Sequence, residues 1–274
     1  MIVYKYKEIY GNKIQPNMAN QFYITLPSNS TSSNSAAEFT TTLPVNVNLD
    51  GEWEVGLSEI IYGNIWFNIF SHNDKITFFD DKHEIHVTLN IVRGRYEDVH
   101  GLIETILNAL EAESKRLDIE FQRSLNIAYN SYIKKCQILI NTDVIYNLQI
   151  PSDVAYMLGF SETQLNALDN NSGRKNIYAH HVVDMSCSLN HLYIYCSILK
   201  PQIVGNALAP LLQIVSVEGK YVDTVCRTYI TPNYVPVLKN CFREIEICIR
   251  DDQNRPIKFE YGKTIIKLHF RRSS

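Results

Sequence analysis

The stretch His191-Leu-Tyr-Ile-Tyr-Cys-Ser-Ile198 decides the fold class, because apolar residues occupy every second position in it. Positions 192, 194, 196 and 198 share one face of an extended chain, whereas Tyr193 and Tyr195 share the other. Strict alternation of this kind is typical of a β-strand with one buried face. Tyrosine is enriched where proteins bind one another, so Tyr193 and Tyr195 are candidate interface residues.

The same alternation recurs along most of the chain. Before position 191 it predicts strands at 22–26, 39–43, 53–61, 75–79, 84–92, 125–129 and 132–140. After position 198 it predicts strands at 208–217, 222–230, 243–250 and 264–271. Pro44 marks the end of the second strand, and Asn130-Ser131 joins a hairpin. About twelve short strands, with no regular alternation of helix and strand, indicate a mainly β, antiparallel sandwich or barrel.

One long segment has a different period. Between 97 and 116 the apolar residues lie three or four positions apart, which predicts an inserted α-helix within the β fold. Acidic residues near its start and basic residues near its end suit the helix dipole. A shorter helix is predicted at 151–158, with Pro151 at its first position. The polar, irregular segment 161–176 predicts a long loop that projects from the surface.

Composition places the chain among ordinary folded proteins. Hydrophobic residues make up 45% of the 274 positions and charged residues 20%, which excludes a disordered chain. The formal net charge is −3 and basic residues do not cluster, so we expect no specific nucleic-acid binding. No apolar run is long enough to span a bilayer, so we expect no membrane insertion.

The pattern also predicts how the chain is divided. Residues 1–20 have no clean period and form an N-terminal arm, whose Tyr4, Tyr6 and Tyr10 are further candidate interface residues. We expect one domain at 21–274, with a small subdomain within about 75–180. None of the six cysteines forms a closely spaced pair, and most lie in apolar runs. We therefore expect buried free thiols, made in a reducing intracellular compartment.

Residues suited to catalysis or metal binding are scattered. Asp80-Asp81 and Asp251-Asp252 lie between strands, where aspartate commonly forms turns. His180-His181 with Cys187 is the nearest approach to a zinc-ligand cluster, and solvated histidines beside a buried thiol are the simpler interpretation. The chain lacks a local nucleophile signature and a glycine-rich phosphate loop. We predict no catalytic residue, no cofactor and no metal.

Several segments together resemble one known family, the minor capsid or penton proteins of Maverick/Polinton elements and the related adintoviruses. The resemblance follows the same order along nearly the whole chain, through Phe22-Tyr-Ile-Thr-Leu-Pro-Ser-Asn-Ser30, Phe39-Thr-Thr-Thr-Leu-Pro44, Gly51-Glu-Trp-Glu-Val-Gly-Leu-Ser-Glu-Ile60, His191-Leu-Tyr-Ile-Tyr-Cys196, Lys200-Pro-Gln-Ile-Val-Gly205, Leu208-Ala-Pro-Leu-Leu212, Pro256-Ile-Lys-Phe-Glu-Tyr-Gly-Lys-Thr264 and Leu268-His-Phe-Arg271. These motifs are structural and name no chemistry.

The resemblance implies a jelly-roll sandwich that forms homopentamers at the vertices of an icosahedral virion and contacts a double-jelly-roll major capsid protein. A chain of 274 residues suits the single jelly roll of that pair. A single jelly roll uses eight strands, so the extra strands and the helix at 97–116 belong to insertions. The arm at 1–20 is expected to reach under a neighbouring subunit.

Two other functions stay open on the sequence. A jelly roll that binds carbohydrate would serve attachment, and it would need a concave site with exposed aromatic residues and paired polar groups. A cysteine hydrolase would need a thiol activated by a neighbouring base.

Overall fold

The computed structural model describes residues 20–80, 82–121, 124–161, 163–166, 173–187 and 189–273. The first three strands are β1 (Gln21–Pro27), β2 (Glu38–Asn48) and β3 (Trp53–Gly63). The middle of the chain forms β4 (Lys75–Asp80), β5 (Ile85–Asn90), α1 (Val99–Leu117), β6 (Leu125–Asn130), β7 (Lys135–Asn141), β8 (Ile145–Gln149), α2 (Ser152–Met157), β9 (Gln164–Asn166) and β10 (Arg174–Tyr178). The remainder forms β11 (His191–Cys196), β12 (Gln202–Val204), β13 (Ala207–Ala209), β14 (Leu211–Ser216), β15 (Thr224–Thr228), β16 (Tyr234–Pro236), β17 (Cys241–Arg250) and β18 (Ile265–Arg272).

Eight of these strands form two antiparallel sheets with the strand order of a jelly roll. The first sheet has the order β1-β18-β3-β15, and β16 also pairs with β3. The second sheet has the order β14-β11-β17-β2. Taken in chain order, these eight strands correspond to strands B to I of a jelly roll, in the sheets B-I-D-G and C-H-E-F. The predicted mainly β, antiparallel jelly-roll fold is therefore confirmed.

The inner faces of the two sheets form one apolar core. Ile194 on β11 and Ile247 on β17 face Ile60 on β3 and Leu268 on β18 within the same buried cluster. Aromatic rings stack at one end of it, where Phe270 lies 4.6 Å from Phe22 and 6.0 Å from Phe242 between ring centroids. The alternation read from the sequence thus corresponds to inward and outward faces, as in sandwiches of this kind.

The connection from β3 to β11 carries a second apolar core. It holds a four-stranded sheet of order β5-β4-β8-β9, a three-stranded sheet of order β10-β7-β6, and both helices. Their buried side chains form a cluster separate from that of the jelly roll. We call residues 64–190 the insertion.

Helix α1 is defined by its sequence at both ends. The Asp98 side chain accepts a hydrogen bond from the Gly101 backbone N–H at 2.9 Å, which caps the first turn. Asp118 adopts a left-handed conformation and ends the helix. The predicted apolar face is buried against β5 and β6, with Leu102 and Ile106 inaccessible to solvent. The inserted helix predicted at 97–116 is confirmed.

Five details of the sequence-based prediction are wrong. The described residues form 18 strands rather than about twelve, and four of the six additional strands have only three residues, which leaves little periodic signal. β2 continues past Pro44 to Asn48, because β2 is the edge strand of its sheet and bulges opposite Arg243, where a proline is tolerated. Pro151 precedes α2 as its N-cap instead of opening it.

The fourth and fifth corrections concern loops of the insertion. The β6–β7 connection is longer than Asn130-Ser131, because the Asn130 side chain accepts hydrogen bonds from the next turn and Lys134 adopts a positive φ of 55°. The segment predicted as the loop 161–176 contains β9 and the start of β10. Residues 162 and 167–172 of that segment lie outside the described residues.

The outer face of the first sheet carries a buried histidine. The His269 ring stacks on Tyr23 with 4.4 Å between centroids, and its Nδ1 lies 2.7 Å from the Tyr234 hydroxyl. Its Nε2 lies 3.2 Å from the Gln21 side-chain oxygen. Burial, assisted by the neighbouring Arg271, lowers the pKa of His269. The neutral ring fits these contacts, with Nδ1 accepting from Tyr234 and Nε2–H donating to Gln21.

We expect the free energy of unfolding to decrease as the pH falls below about 6.5, the ordinary pKa of histidine. In that range the unfolded chain binds a proton on His269, whereas the folded chain resists it until its lower pKa is reached. Urea unfolding between about pH 8 and pH 5 should show that this part of the pH dependence disappears in His269→Gln. An identical pH dependence in both proteins would contradict the assignment.

Candidate subunit interface

The outer face of the second sheet carries the two tyrosines singled out in the sequence. Tyr193 lies opposite Ile214 on β14 and Arg250 on β17. Tyr195 lies between β14 and β17 in the same way, one row along the sheet, opposite Leu211 and Cys248. Both rings are half-buried on this outer face, while their chain neighbours point into the core.

This outer face divides into an apolar half and a charged half. The apolar half, on β14 and β11, is formed by Leu211, Ile214, Tyr193 and Tyr195, which we call the apolar surface. On the charged half, the Arg250 guanidinium pairs with the Glu38 carboxylate at 3.1 Å. Burial raises the pKa of Tyr195, so its hydroxyl stays neutral at physiological pH. A neutral aromatic surface beside a charged border matches the usual anatomy of a protein interface.

A protruding hairpin continues from the apolar surface. β12 and β13 pair only with each other, and Ile203 lies directly opposite Leu208. These two side chains, which we call the apolar knob, are 81% and 72% exposed. The hairpin leads through Pro210 into β14, and the Gln202 side chain donates a hydrogen bond to the Leu211 carbonyl at 2.5 Å. The apolar knob therefore lies at the end of the strand that carries Leu211 and Ile214.

The apolar knob was not predicted from the sequence, although the sequence contains a hairpin signal at this place. Ile203 and Leu208 flank a two-residue connection, Gly205-Asn206, of the type that closes tight hairpins. Gly205 has a φ of +59°, which a glycine adopts readily.

The other predicted interface residues are not placed by the structure. Tyr4, Tyr6 and Tyr10, with the arm at 1–19, lie outside the described residues. The described parts of 161–176 belong to the insertion and lie on β9 and β10, on different sheets from Tyr193 and Tyr195.

A cavity of about 110 Å³ lies between the insertion and the jelly roll. Asp153 on α2 faces it, 3.4 Å from His72 Nε2 and 4.0 Å from the Arg255 guanidinium. Arg255 also donates to Asp251 at 2.7 Å, so it links the turn between β17 and β18 to α2. These contacts therefore link the insertion to the jelly roll.

Three of the cysteines, Cys136, Cys187 and Cys196, have surroundings that disfavour the thiolate. Cys187 lines this cavity, and burial, together with Asp153, raises its pKa to about 12. Burial also raises the pKa of Cys136 to about 11 and that of Cys196 to about 12. A catalytic thiol requires a shift in the opposite direction. All six cysteines are free, but Cys226 and Cys241 are exposed, which corrects the expectation that the thiols are buried.

Asp80 and Asp251 each stabilise a turn, as predicted, and Asp81 lies outside the described residues. Asp80 is fully buried and accepts from the Lys82 and His83 backbone N–H groups and from the His83 ring. Asp251 accepts from the backbone N–H groups of Gln253 and Arg255. Among the described residues, no group of three or more His, Cys, Asp or Glu side chains is placed to hold a metal ion. In the part of the chain that the structure describes, no helix has the length and apolar character needed to cross a membrane.

Solved structures that are similar to this chain include a penton protein. No protein-family model and no curated protein matches the chain. A crystal structure of selenomethionine-labelled mavirus penton protein is similar, with 13% sequence identity and a TM-score of 0.47, over 93% of this chain and 99% of that chain. At this identity and TM-score the similarity carries no argument about function, so the jelly-roll assignment rests on the strand order given above.

Proposed function

We propose that the protein is a structural virion protein, a minor capsid subunit that assembles into homopentamers at icosahedral vertices. In this role it contacts a double-jelly-roll major capsid protein, and its work is binding rather than catalysis. Five identical subunits form a closed ring through a head-to-tail interface, in which two different surfaces of each subunit meet.

The observation that supports this proposal is where the family-like segments fall. The segments at 22–30, 39–44, 51–60, 191–196, 200–205, 208–212, 256–264 and 268–271 all lie on the jelly roll or its connections. None of them lies in the insertion. The segments therefore lie on six of the eight jelly-roll strands, namely β1, β2, β3, β11, β14 and β18, and the jelly roll is an architecture of viral capsids.

The apolar knob and the apolar surface supply one side of the proposed ring contact. Exposed apolar side chains on a hairpin, continuous with half-buried tyrosines, fit burial against a second copy of the chain. In the same proposal, the arm at 1–20 reaches under a neighbouring subunit.

We further propose that the insertion is a small subdomain within the domain at 21–274. Its support is the second apolar cluster, which is built from residues of the insertion alone. The proposed subdomain spans 64–190, somewhat wider than the 75–180 expected from the sequence.

The solution mass of the purified chain tests the proposed function, with and without a double-jelly-roll major capsid protein. Light scattering after size exclusion should give a mass near five times 31.6 kDa, alone or after the partner is added. Pentamers should also appear at the vertices of shells assembled from both proteins. A monomer or trimer under both conditions, with no incorporation into shells, would contradict the proposal.

A further inference from the structure

A groove lies at one end of the three-stranded sheet of the insertion. It runs along the β6–β7 turn and the end of β10, and its volume is about 620 Å³. Three small residues and three tyrosines are among its lining, namely Ala128, Cys136, Ala179, Tyr129, Tyr132 and Tyr178. Ala128, Tyr132 and Tyr178 are exposed, whereas Cys136 and Ala179 are buried in the core of the insertion. Sites for small ligands commonly have volumes of about 300–1,000 Å³.

Two of these tyrosines are exposed although the backbone beneath them is held. Tyr132 is 96% exposed and Tyr178 is 63% exposed. The Asn130 side-chain oxygen accepts hydrogen bonds from the backbone N–H of Tyr132 at 3.0 Å and of Ile133 at 3.4 Å, which fixes the turn. Because the backbone is already fixed, ligand binding has to order only the side-chain rotamers of these rings.

Backbone hydrogen bonds also hold the segment that follows Tyr178. The Ala179 N–H donates to the Cys136 carbonyl at 2.9 Å, and the Val183 N–H donates to the Lys134 carbonyl at 2.9 Å. These bonds keep the segment after Tyr178 against the hairpin. Burial raises the pKa of Cys136 to about 11, so this cysteine adds no negative charge to the groove at neutral pH.

The charge of the groove restricts its ligand. Among the described residues, the lining contains no carboxylate, and Lys135 is its one cationic side chain. The Lys135 ammonium already donates to the His180 carbonyl at 2.8 Å. The lining also offers neutral polar groups from Asn130, Ser131 and Gln137. A neutral ligand that carries both hydroxyl groups and apolar C–H surface suits this lining.

The Gln137 amide is oriented for recognition. Its Nε2 donates to the Asn176 side-chain oxygen at 2.8 Å, a bond that does not use the Gln137 carbonyl oxygen. Gln137 lies directly opposite both Ala128 and Tyr178 in the sheet register. An amide acceptor therefore lies in the same row as an exposed aromatic ring.

We propose that this groove binds a neutral glycan. The C–H faces of a sugar ring stack on tyrosine faces, which carry partial negative charge, while its hydroxyls hydrogen-bond to amide and phenol groups. The inference does not depend on the proposed capsid assembly, because the groove is built from residues of the insertion alone. It assigns a carbohydrate-binding role to the insertion, which contains none of the family-like segments quoted above.

The test is binding of the full chain to an array of neutral, sialylated and sulfated glycans, followed by titration of the best neutral glycan. We expect binding to a neutral glycan, and a loss of affinity of about tenfold or more in the double variant Tyr132→Ala/Tyr178→Ala. Ala128→Phe, which places a bulky side chain in the groove and keeps both tyrosines, should also abolish binding.

Tyr261→Ala is the matched control, because Tyr261 is 55% exposed but lies on the jelly roll. It should bind the glycan with unchanged affinity. The proposal is overturned if no glycan binds, if only acidic glycans bind, or if the groove variants bind as well as Tyr261→Ala. Light scattering on the same samples separates these outcomes from a failure of self-association.

Discussion

Replacement of both Ile203 and Leu208 by serine is expected to weaken self-association by about a hundredfold or more, without lowering the stability of the subunit. Burying one such side chain contributes about 1.5–3 kcal/mol, so the pair contributes about 3 kcal/mol or more to each contact. Every 1.4 kcal/mol changes an equilibrium constant about tenfold. In the single subunit both side chains are largely exposed, so serine removes no buried contact there.

The measurement is light scattering over a series of concentrations, with urea unfolding as the check on stability. Val92→Ser serves as the control, since Val92 is an exposed apolar residue of the insertion, away from the hairpin. The variant with two serines should shift to lower mass, whereas Val92→Ser should behave as the unaltered protein. Equal masses for all three proteins would show that the apolar knob lies outside the subunit contact.

The jelly roll was largely predictable because each of its strands has one buried face. Ile245, Ile247 and Ile249 alternate with charged or polar residues on β17, and the structure buries those three isoleucines completely. The helix was predictable for a related reason, since its buried residues recur at the helical spacing. Periodicity, however, does not reveal which strands pair, and the family resemblance supplied the jelly-roll arrangement.

The sites were less predictable than the fold, because they depend on pairing between distant segments. Tyr193 and Tyr195 were found from the sequence since they share a face with each other. Tyr132 and Tyr178 were not found, because they meet only through the pairing of β10 with β7. Their individual contexts, a turn and a strand end, gave no sign of a common groove.

Gly159→Ala is expected to destabilise the insertion by about 2–5 kcal/mol, because among the described glycines an added Cβ would make its shortest contact there. Gly159 follows α2 with a φ of +87°, a conformation that alanine adopts only at a cost. A Cβ there would lie 2.3 Å from the His181 carbonyl oxygen, which is backbone and cannot rotate away. The His181 N–H also donates a hydrogen bond to the Gly159 carbonyl at 2.9 Å. Moving the two segments apart to relieve the clash therefore breaks that hydrogen bond.

Gly205→Ala is the matched control, since Gly205 also has a positive φ but has nothing within 4 Å of an added Cβ. It should cost about 1 kcal/mol, the conformational part alone.

Two optical probes locate the effect of Gly159→Ala within the molecule. Both tryptophans pack in the jelly-roll core, Trp53 from β3 and Trp66 from the first residues of the insertion, whereas the long helix α1 packs in the core of the insertion. In urea, the helical circular-dichroism signal should therefore unfold at a lower concentration in Gly159→Ala, while tryptophan fluorescence keeps its midpoint. That separation follows if the insertion is a subdomain with its own core, because the lost stability then falls on one cooperative unit. A common shift of both probes would mean that the cavity contacts of Arg255 and Asp153 couple the two cores, and no shift in either would contradict the clash itself.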